Sequence, residues 1–204
     1  KNNNSDIKNN KNLRLKLQEL QRKTLKAIQL KDKAEKILMN KNKELKELAK
    51  VFNAPFTLYS KNIQGSFRNA STKLGVKMLL FEGGKSLDLN TEITEVGVDG
   101  AKRFLAHLDM LSPKKEADFT YDDTLFIEKS TWIRATFSGM FIGLVKAGSF
   151  VNKGDILATI SDPFGKVEHN VKAPNDGYLI NVNDAAIVYQ GDAIFHISTV
   201  LEND

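Results

Sequence analysis

The sequence predicts an α/β fold that is followed by an all-β region and preceded by a basic helix. Apolar residues recur at three- and four-residue steps from residue 13 to 50, without glycine or proline. Strand-like and helix-like segments then alternate, and from residue 130 short β-rich runs are separated by Gly, Asn, Asp and Pro. We therefore expect a disordered terminus, a helix, the main α/β part, a linker and a β part, at residues 1–12, 13–50, 51–112, 113–129 and 130–200.

The charge of the chain is unevenly distributed. Residues 1–50 contain 15 lysines and arginines against 6 acidic residues, a net of +9, so the remaining residues, with 15 against 19, have a net of −4. The basic quarter fits an arm for nucleic acid or a membrane surface, and equally a solvated helix joined to an acidic domain. We predict no specific nucleic-acid partner, because this segment lacks the aromatic side chains on which bases stack.

Composition also limits the compartment and the available chemistry. The chain has no cysteine, which excludes disulfides, thiolate metal sites and cysteine nucleophiles. It has no run of about 18 or more apolar residues, and its first residues lack the apolar core of a secretory signal. We therefore predict a cytoplasmic protein without a membrane-spanning helix.

The helix expected at residues 13–50 is amphipathic. Its apolar stripe consists of Leu13, Leu17, Leu20, Ala27, Ala34, Leu38, Leu45 and Leu48. Such a stripe is typical of a coiled coil, but Thr24, Lys31 and Lys41 fall on it and weaken the seam. Self-association into an oligomer therefore stays open.

The α/β part is predicted from four segments. We expect a short strand, a helix of about two turns, a buried strand and a longer helix that ends before Pro113. In this order they occupy residues 54–59, 66–74, 76–81 and 91–111. The alternation indicates an open α/β sheet.

The β part contains a short internal repeat. Residues 145–160 include a Gly-Asp turn followed by an apolar strand, and residues 188–197 repeat this pattern. Two such halves resemble the barrel-sandwich hybrid fold of biotinyl and lipoyl domains. The sequence therefore predicts that fold for residues 130–200.

The position of Glu82 in the sequence suggests a catalytic or ligand-binding role. It follows an apolar run, and an ionised carboxylate in that place is costly to bury unless it is paired. Ligands of open α/β sheets bind at the carboxyl ends of strands, and Gly83-Gly84 lets the backbone approach a ligand closely. From the residues alone, a catalytic carboxylate and a salt-bridged structural glutamate remain equally open.

Short motifs surround Glu82 and continue toward the C-terminus. They are Gly65-Ser-Phe-Arg-Asn-Ala70, Gly75-Val76, Leu79-Leu-Phe-Glu-Gly-Gly84, Glu95-Val-Gly-Val-Asp-Gly100, Leu105-Ala-His-Leu-Asp-Met-Leu111, Trp132-Ile-Arg-Ala135, Ser138-Gly139, Asp162-Pro-Phe-Gly165, Val171-Lys-Ala-Pro-Asn-Asp-Gly177 and Tyr189-Gln-Gly-Asp192. In this order they resemble the C-terminal half of the succinylglutamate desuccinylase/aspartoacylase family, which are zinc enzymes related to carboxypeptidases. The resemblance covers about three quarters of the chain and leaves out residues 13–50.

The resemblance implies roles for three residues. Glu82 matches the glutamate that takes a proton from the attacking water and passes it to the leaving amine of an amide substrate. Arg68 stands where related enzymes have an arginine that binds a substrate carboxylate, although a surface arginine on a short helix fits equally well. Tyr189 matches a tyrosine over the substrate channel, but as a strand residue we expect it in the core of the β part.

The family's zinc site has no counterpart in this sequence. That site needs an H-x-x-E pair and a later histidine, whereas the third residues after His107, His169 and His196 are Met, Lys and Thr. We therefore expect a C-terminal fragment of a zinc-dependent deacylase of small acylated amino acids. We expect no zinc on this chain alone and no activity without the missing part.

A binding module is the alternative function. A biotinyl or lipoyl carrier needs a lysine at the hairpin between the two repeats, and Lys166 lies there in Asp162-Pro-Phe-Gly-Lys166. Its flanks are neither Met-Lys-Met nor Asp-Lys-Ala. We therefore expect Lys166 to stay unmodified, and we keep open a protein-interaction role for the β part.

Overall fold

The computed structural model describes residues 36–39, 43–85, 88–111 and 124–202. Its helices are α1 (Lys43–Phe52), α2 (Phe67–Lys73) and α3 (Thr91–His107). Its strands are β1 (Lys36–Met39), β2 (Phe56–Tyr59), β3 (Leu80–Glu82), β4 (Leu125–Arg134), β5 (Gly139–Gly143), β6 (Phe150–Val151), β7 (Ile156–Ser161), β8 (Glu168–Lys172), β9 (Gly177–Val182), β10 (Ile187–Val188) and β11 (Ala193–Leu201). None of these three helices has the length and apolar character needed to cross a bilayer.

Two sheets organise the chain. The larger has seven strands in the order β3-β1-β2-β4-β11-β9-β6, and the smaller has four in the order β10-β5-β7-β8. Strands β1, β2 and β4 are parallel, whereas β3 and β11 run antiparallel to their neighbours. The predicted mixture of an α/β part and a β part is confirmed, and one sheet continues through both.

The prediction of one continuous helix over residues 13–50 is wrong at residues 36–39, whereas residues 43–50 are helical as expected. Residues 36–39 form β1, which pairs with β2 on one side and β3 on the other. Helix α1 covers Lys43–Phe52, and residues 1–35, which include the expected disordered terminus, and residues 40–42 lie outside the described residues. Hydrogen bonds to two neighbouring strands satisfy the backbone of β1, and this tertiary pairing outweighs the helical spacing of its sequence.

Two strand boundaries also differ from expectation. Strand β3 covers only three residues and is half-buried or exposed, and Val76, expected inside a buried strand, is 56% exposed. Strand β4 begins at Leu125, inside the linker expected at 113–129. The remainder of that linker, up to residue 123, lies outside the described residues.

The helices α2 and α3 confirm the sequence reading. Ser66 caps α2, its hydroxyl accepting a hydrogen bond from the Asn69 amide at 3.1 Å. Asn90 caps α3 in the same way, accepting from the Ile93 amide at 3.1 Å. Helix α3 ends at His107 because Asp109 takes a positive φ of 55°, so the helix is four residues shorter than the expected end at 111.

Helices α1 and α3 pack closely against each other. A Cβ atom added at Gly100 would lie 2.5 Å from the Phe52 ring, so this glycine permits the close approach. The Arg103 guanidinium donates two hydrogen bonds, of 2.7 and 3.2 Å, to the Phe52 carbonyl at the end of α1. That carbonyl has no partner within its own helix, so Arg103 stabilises the helix end and joins the two helices.

A Gly-Asp turn precedes β7. The Asn152 amide donates to the Asp155 carboxylate at 2.8 Å, and Gly154 has a φ of 92°. The two backbone hydrogen bonds between this turn and Ala173 are both 2.9 Å long. The turn is therefore fixed from inside and from a neighbouring segment.

The turn before β11 has the same hydrogen bonds. The Tyr189 amide donates to the Asp192 carboxylate at 2.8 Å, Gly191 has a φ of 95°, and two backbone hydrogen bonds of 2.8 and 2.9 Å join the turn to Ala135. The internal repeat predicted from the sequence is therefore confirmed for the two Gly-Asp turns. The apolar strands that follow the turns share one buried cluster, formed by residues including Leu157, Ile160, Ile194 and Phe195.

Tyr59 joins the end of β2 to the end of the chain. Its hydroxyl donates to the Glu202 carboxylate at 2.9 Å, and the Lys46 ammonium lies 2.9 Å from the same oxygen. Burial, and then the hydrogen bond and the negative charge of Glu202, raise the pKa of Tyr59 well above its usual value. This network connects α1, β2 and the residue after β11.

Gly177→Ala is expected to destabilise the protein by about 1–3 kcal/mol, the usual cost of forcing extra atoms into a packed position. The added Cβ would lie 2.3 Å from the Ser198 carbonyl oxygen, which is backbone and cannot rotate away. Gly143→Ala is the matched control in a strand, because its Cβ would meet only ordinary contacts of 3.8 and 3.9 Å. Urea unfolding of both variants measures the difference, and equal stabilities would contradict the packing argument.

Tyr59→Phe is expected to flatten the loss of stability at alkaline pH. The folded pKa of Tyr59 is raised, so its stabilising contribution is complete below about pH 10 and declines as pH rises above it, by at most about 1.4 kcal/mol per pH unit. The variant lacks the hydrogen bond to Glu202, so it is less stable at neutral pH. It also lacks the ionisable hydroxyl, so its unfolding free energy does not show this decline above about pH 10. Unfolding free energies from pH 7 to 11 test it, and parallel curves for the two proteins would refute it.

Candidate active site

Glu82 is the last residue of β3, and its side chain is exposed. It lies opposite Lys36 in the antiparallel pairing of β3 with β1. The chain then passes through Gly83 and Gly84, and Gly84 has a φ of 82° that favours glycine. The carboxylate therefore stands at a strand end followed by a sharp turn, as expected, but on an outer strand that is antiparallel to its neighbour.

A cleft of about 440 Å³, here called the junction cleft, is lined by Gly84, two positions after Glu82 in the sequence, but not by Glu82 itself. One wall comes from the α/β part and the other from the β part. Its lining residues are Gly84, Lys85, Asn90, Ile93, Phe141, Gly143, Val145, Lys146, Ala147, Asn181, Val182, Asn183, Asp184 and Ala185. Such a concave site between two parts of a chain, with mixed apolar and polar walls, is typical of a small-molecule site.

The polar groups of the junction cleft are held by local hydrogen bonds. The Asn183 side chain donates to the Ala193 carbonyl at 3.1 Å and accepts from the Ala185 amide at 2.8 Å. The Lys85 ammonium crosses to the Asp184 carboxylate at 3.2 Å, with both side chains more than half exposed. The walls are thus ordered, and one ion pair bridges them.

Sequence reasoning missed this cleft. Gly84 belongs to the motif around Glu82, but the sequence alone does not show which segment faces it across the cleft. A usable signal was nevertheless present, because Lys85 follows the glycine pair directly and the polar run Asn181-Val-Asn183-Asp184 ends an apolar strand. Polar residues at a strand end are where ligand contacts concentrate.

Arg68 is buried in α2, with 7% of its surface exposed. Its Nη2 atom donates to the Ser60 hydroxyl and to the Lys61 carbonyl, both at 3.0 Å. Its Nη1 atom is also buried, and it has no hydrogen-bond partner in the described part of the chain. A guanidinium with part of its donor set unused can donate further hydrogen bonds to an oxygen atom.

Tyr189 was expected in the core of the β part as a strand residue, but it lies outside that core. Its side chain is 68% exposed, and it belongs to the Gly-Asp turn before β11. The neighbouring Gln190 amide donates to the Ser138 hydroxyl at 2.9 Å, which fixes the turn against the start of β5. The ring is therefore accessible to a ligand or to another chain.

The structure does not bring Glu82 and Arg68 together. Lys36 of β1 pairs with Phe56 of β2 on one side and with Glu82 of β3 on the other. Glu82 therefore lies at the same height along the strands as the start of β2. The guanidinium of Arg68 lies at Ser60 and Lys61, beyond the other end of β2. Four residues of strand separate the two levels, about 13 Å at 3.3 Å per residue.

The three histidines have separate surroundings. His107 is exposed at the end of α3, and His169 stacks on Phe137 with ring centroids 3.5 Å apart. His196 is buried, its Nε2 atom 2.8 Å from the Ser130 hydroxyl and its ring stacked on Trp132 at 4.5 Å.

Within the ranges that the structure describes, no three His, Cys, Asp or Glu side chains come together as a metal site requires. These residues therefore do not fit the zinc site that the family resemblance implies.

No family model and no curated protein matches this sequence. Solved structures do match its fold. A succinylglutamate desuccinylase from Silicibacter sp. TM1040 is 20% identical with a TM-score of 0.67, over 84% of this chain and 54% of that chain. The apo ectoine utilization protein EutE (DoeB) from Ruegeria pomeroyi is 19% identical with a TM-score of 0.70, over 83% and 56%.

A succinylglutamate desuccinylase/aspartoacylase from Rhodobacter sphaeroides gives a similar result, with 19% identity, a TM-score of 0.69 and coverage of 85% of this chain and 55% of that chain. At these identities the likeness concerns the fold, and as a likeness of fold the predicted resemblance is confirmed. The chain spans about half the length of the solved structures that it matches.

Proposed function

We propose that this chain is the C-terminal part of a zinc-dependent hydrolase that cleaves the amide bond of a small N-acyl amino acid. The observation that carries the proposal is the fold, which is shared over 84% of the chain with a succinylglutamate desuccinylase. A product-bound structure of EutE (DoeB) from Ruegeria pomeroyi also shares the fold, over 83% of the chain. We further propose a cytoplasmic location.

Glu82 is the proposed catalytic residue. In this role its carboxylate accepts a proton from the attacking water and returns it to the leaving amine, which a positioned carboxylate accelerates by roughly 10²–10⁴-fold. Its exposed position at the end of β3, directly before the glycine pair whose second member lines the junction cleft, supports this role. Because the described residues do not fit a zinc site, we assign no step to the metal, whose ligands would come from outside them.

Arg68 and Tyr189 are proposed substrate contacts of the complete enzyme. The buried Nη1 atom of Arg68 supports binding of a substrate carboxylate, and the exposed ring of Tyr189 supports contact with a bound molecule. The distance between Arg68 and the level of Glu82 favours a second role for Arg68, the attachment of α2 to the segment after β2.

We propose the barrel-sandwich hybrid arrangement for residues 130–200. The two matching Gly-Asp turns and the shared apolar cluster support it. In biotinyl and lipoyl carriers, which have this arrangement, the modified lysine stands at a hairpin tip. This makes a carrier module the second candidate function, because Lys166 is exposed in the hairpin between β7 and β8.

The isolated chain is expected to bind no stoichiometric zinc and to leave N-succinylglutamate and N-acetylaspartate unhydrolysed, because its sequence contains no H-x-x-E pair. Metal analysis and an amine-release assay test this. One tight zinc per chain with substrate turnover would refute it.

Glu82→Gln is expected to lower activity by about 10²–10⁴-fold once the chain is assembled with a zinc-bearing partner, since glutamine cannot carry the proton. Glu95→Gln, at an exposed glutamate on α3, is the control and should retain activity.

Arg68→Lys in the same assay separates the two proposed roles of Arg68. A raised KM supports carboxylate binding, whereas an unchanged KM with lower stability supports the attachment of α2.

Lys166 is expected to remain unmodified when the chain is co-expressed with biotin or lipoate ligase. The Asp162 carboxylate accepts from the Lys166 amide at 2.7 Å, so the residue belongs to a tight local turn whose flanks differ from those of carrier lysines. Intact-mass spectrometry measures the modification. Biotin or lipoate on Lys166 would replace the hydrolase proposal with the carrier function.

A further inference from the structure

Helix α2 reverses the usual pattern of burial. Its buried side chains, Arg68 and Ser71, are polar, whereas Phe67 at its first position is 76% exposed. The Ser71 hydroxyl donates to the Phe67 carbonyl, and Arg68 donates to Ser60 and Lys61, so both polar side chains are bonded within the fold. A surface helix normally turns its apolar side chains toward the core. The outward side of α2 is therefore the unusual surface of this region.

Four large apolar side chains form this surface, which we call the α2 face. Phe67 and Leu74 are seven positions apart, about two turns, so they project from the same side of the helix. Ile63 and Val76 are held at the two ends of the helix by backbone hydrogen bonds. Ile63, Leu74 and Val76 are 72%, 81% and 56% exposed. Several exposed apolar side chains in one place are typical of a surface that binds a protein or a membrane.

The charged residues of the segment that contains the α2 face are all basic. Residues 60–81 contain no acidic residue and four basic ones, Lys61, Arg68, Lys73 and Lys77. Lys77 is ion-paired with Glu44, whereas Lys61 and Lys73 are exposed and form no ion pair with the part of the chain that the structure describes. The α2 face therefore combines apolar side chains with two available positive charges.

The charge of the whole chain changes sign directly after this segment. Up to residue 81 the chain has 19 lysines and arginines against 6 acidic residues, a net of +13, and from residue 82 it has 11 against 19, a net of −8. The α2 face thus belongs to the positive part of the chain. Such an uneven distribution favours a negatively charged partner on this side.

The shape of the α2 face distinguishes between possible partners. Its side chains project from a helix and its ends, and none of them lines the junction cleft. A protein partner needs a complementary surface to pack against such projections, whereas the interfacial layer of a bilayer accepts them without a preformed pocket. A second copy of the chain would bring like charges together, because Lys61 and Lys73 belong to the same segment.

We propose that the α2 face binds an anionic lipid bilayer. Phe67 and Leu74 enter the headgroup layer, and Lys61 and Lys73 contact acidic headgroups. The hydrogen bonds of Arg68 on the other side of α2 keep the helix attached to the protein while its outer face is in the lipid. The inference goes beyond the proposed hydrolase function and does not depend on it.

The test is sedimentation of the full chain with large vesicles of phosphatidylcholine, either alone or with about 30% phosphatidylserine as the anionic lipid. At about 0.1 M salt we expect at least about tenfold tighter binding to the anionic vesicles, since each lysine near such a surface contributes roughly fivefold. Salt at about 1 M should remove most of this preference, because it shortens the Debye length to about 3 Å. Equal binding to the two kinds of vesicle, or binding to neither, overturns the proposal.

Variants locate the contact on the α2 face. Phe67→Glu should weaken binding to the anionic vesicles by at least about tenfold, because it places a charge in the apolar layer. Leu89→Glu is the control, since it changes the net charge equally at a residue that is 97% exposed and lies outside the α2 face. Circular dichroism checks that both variants are folded. Equal binding by the two variants overturns the proposal.

The contribution of the lysines is tested in the same way. Lys73→Gln should weaken binding to the anionic vesicles by roughly fivefold. Lys166→Gln, at an exposed lysine of the hairpin between β7 and β8, should bind like the unchanged chain. Equal binding by Lys73→Gln and Lys166→Gln contradicts the proposed headgroup contact.

Other partners give different results in these experiments. If the basic residues 1–35 alone bound the vesicles, Phe67→Glu would bind as tightly as Leu89→Glu. A second copy would give a dimer in light scattering that Phe67→Glu dissociates, without binding to vesicles. A chain whose α2 face binds an acidic protein would leave both kinds of vesicle unbound. Each of these results overturns the proposal.

Discussion

Strand β4 is the constraint on which the arrangement of the molecule depends. Its first three residues pair with β2, and from Ile127 to Arg134 it pairs with β11. The backbone groups of β4 keep their partners only if the α/β part and the β part hold this relative position. The walls of the junction cleft are therefore set by a shared strand, whereas the exposed Lys85–Asp184 pair contributes about 1 kcal/mol at most.

Local signals explain the parts of the fold that the sequence predicted correctly. Ser66 and Asn90 cap α2 and α3 through bonds to residues three positions later, and the two Gly-Asp turns are closed within four residues. Such interactions depend on neighbouring residues alone, so their sequence pattern survives without knowledge of the tertiary structure. The motifs around Glu82 predicted the fold of the solved structures that the chain matches, a fold that no periodicity in the chain specifies.

Long-range pairing explains the parts that were missed. The spacing of Ala34 and Leu38 continues a helical stripe, yet β1 is a strand because β2 and β3 are available on both sides. The same pairing places the guanidinium of Arg68 and the carboxylate of Glu82 at opposite ends of β2. Tyr189 reads as a strand residue, but hydrogen bonds from Arg134 and to Ser138 hold its turn at the surface.

Two opposing features meet at the end of β3, where Glu82 lies. A three-residue strand ending in a carboxylate is a poor template for unspecific pairing, which protects the sheet edge from aggregation. The apolar groove beside the segment that leads into β3 is lined by residues including Leu45, Leu48, Met78, Leu79, Phe104 and Leu105. Leaving such a surface in water forfeits about 25 cal/mol for each Å². The carboxylate therefore limits strand pairing at the place where the neighbouring surface favours contact with apolar groups.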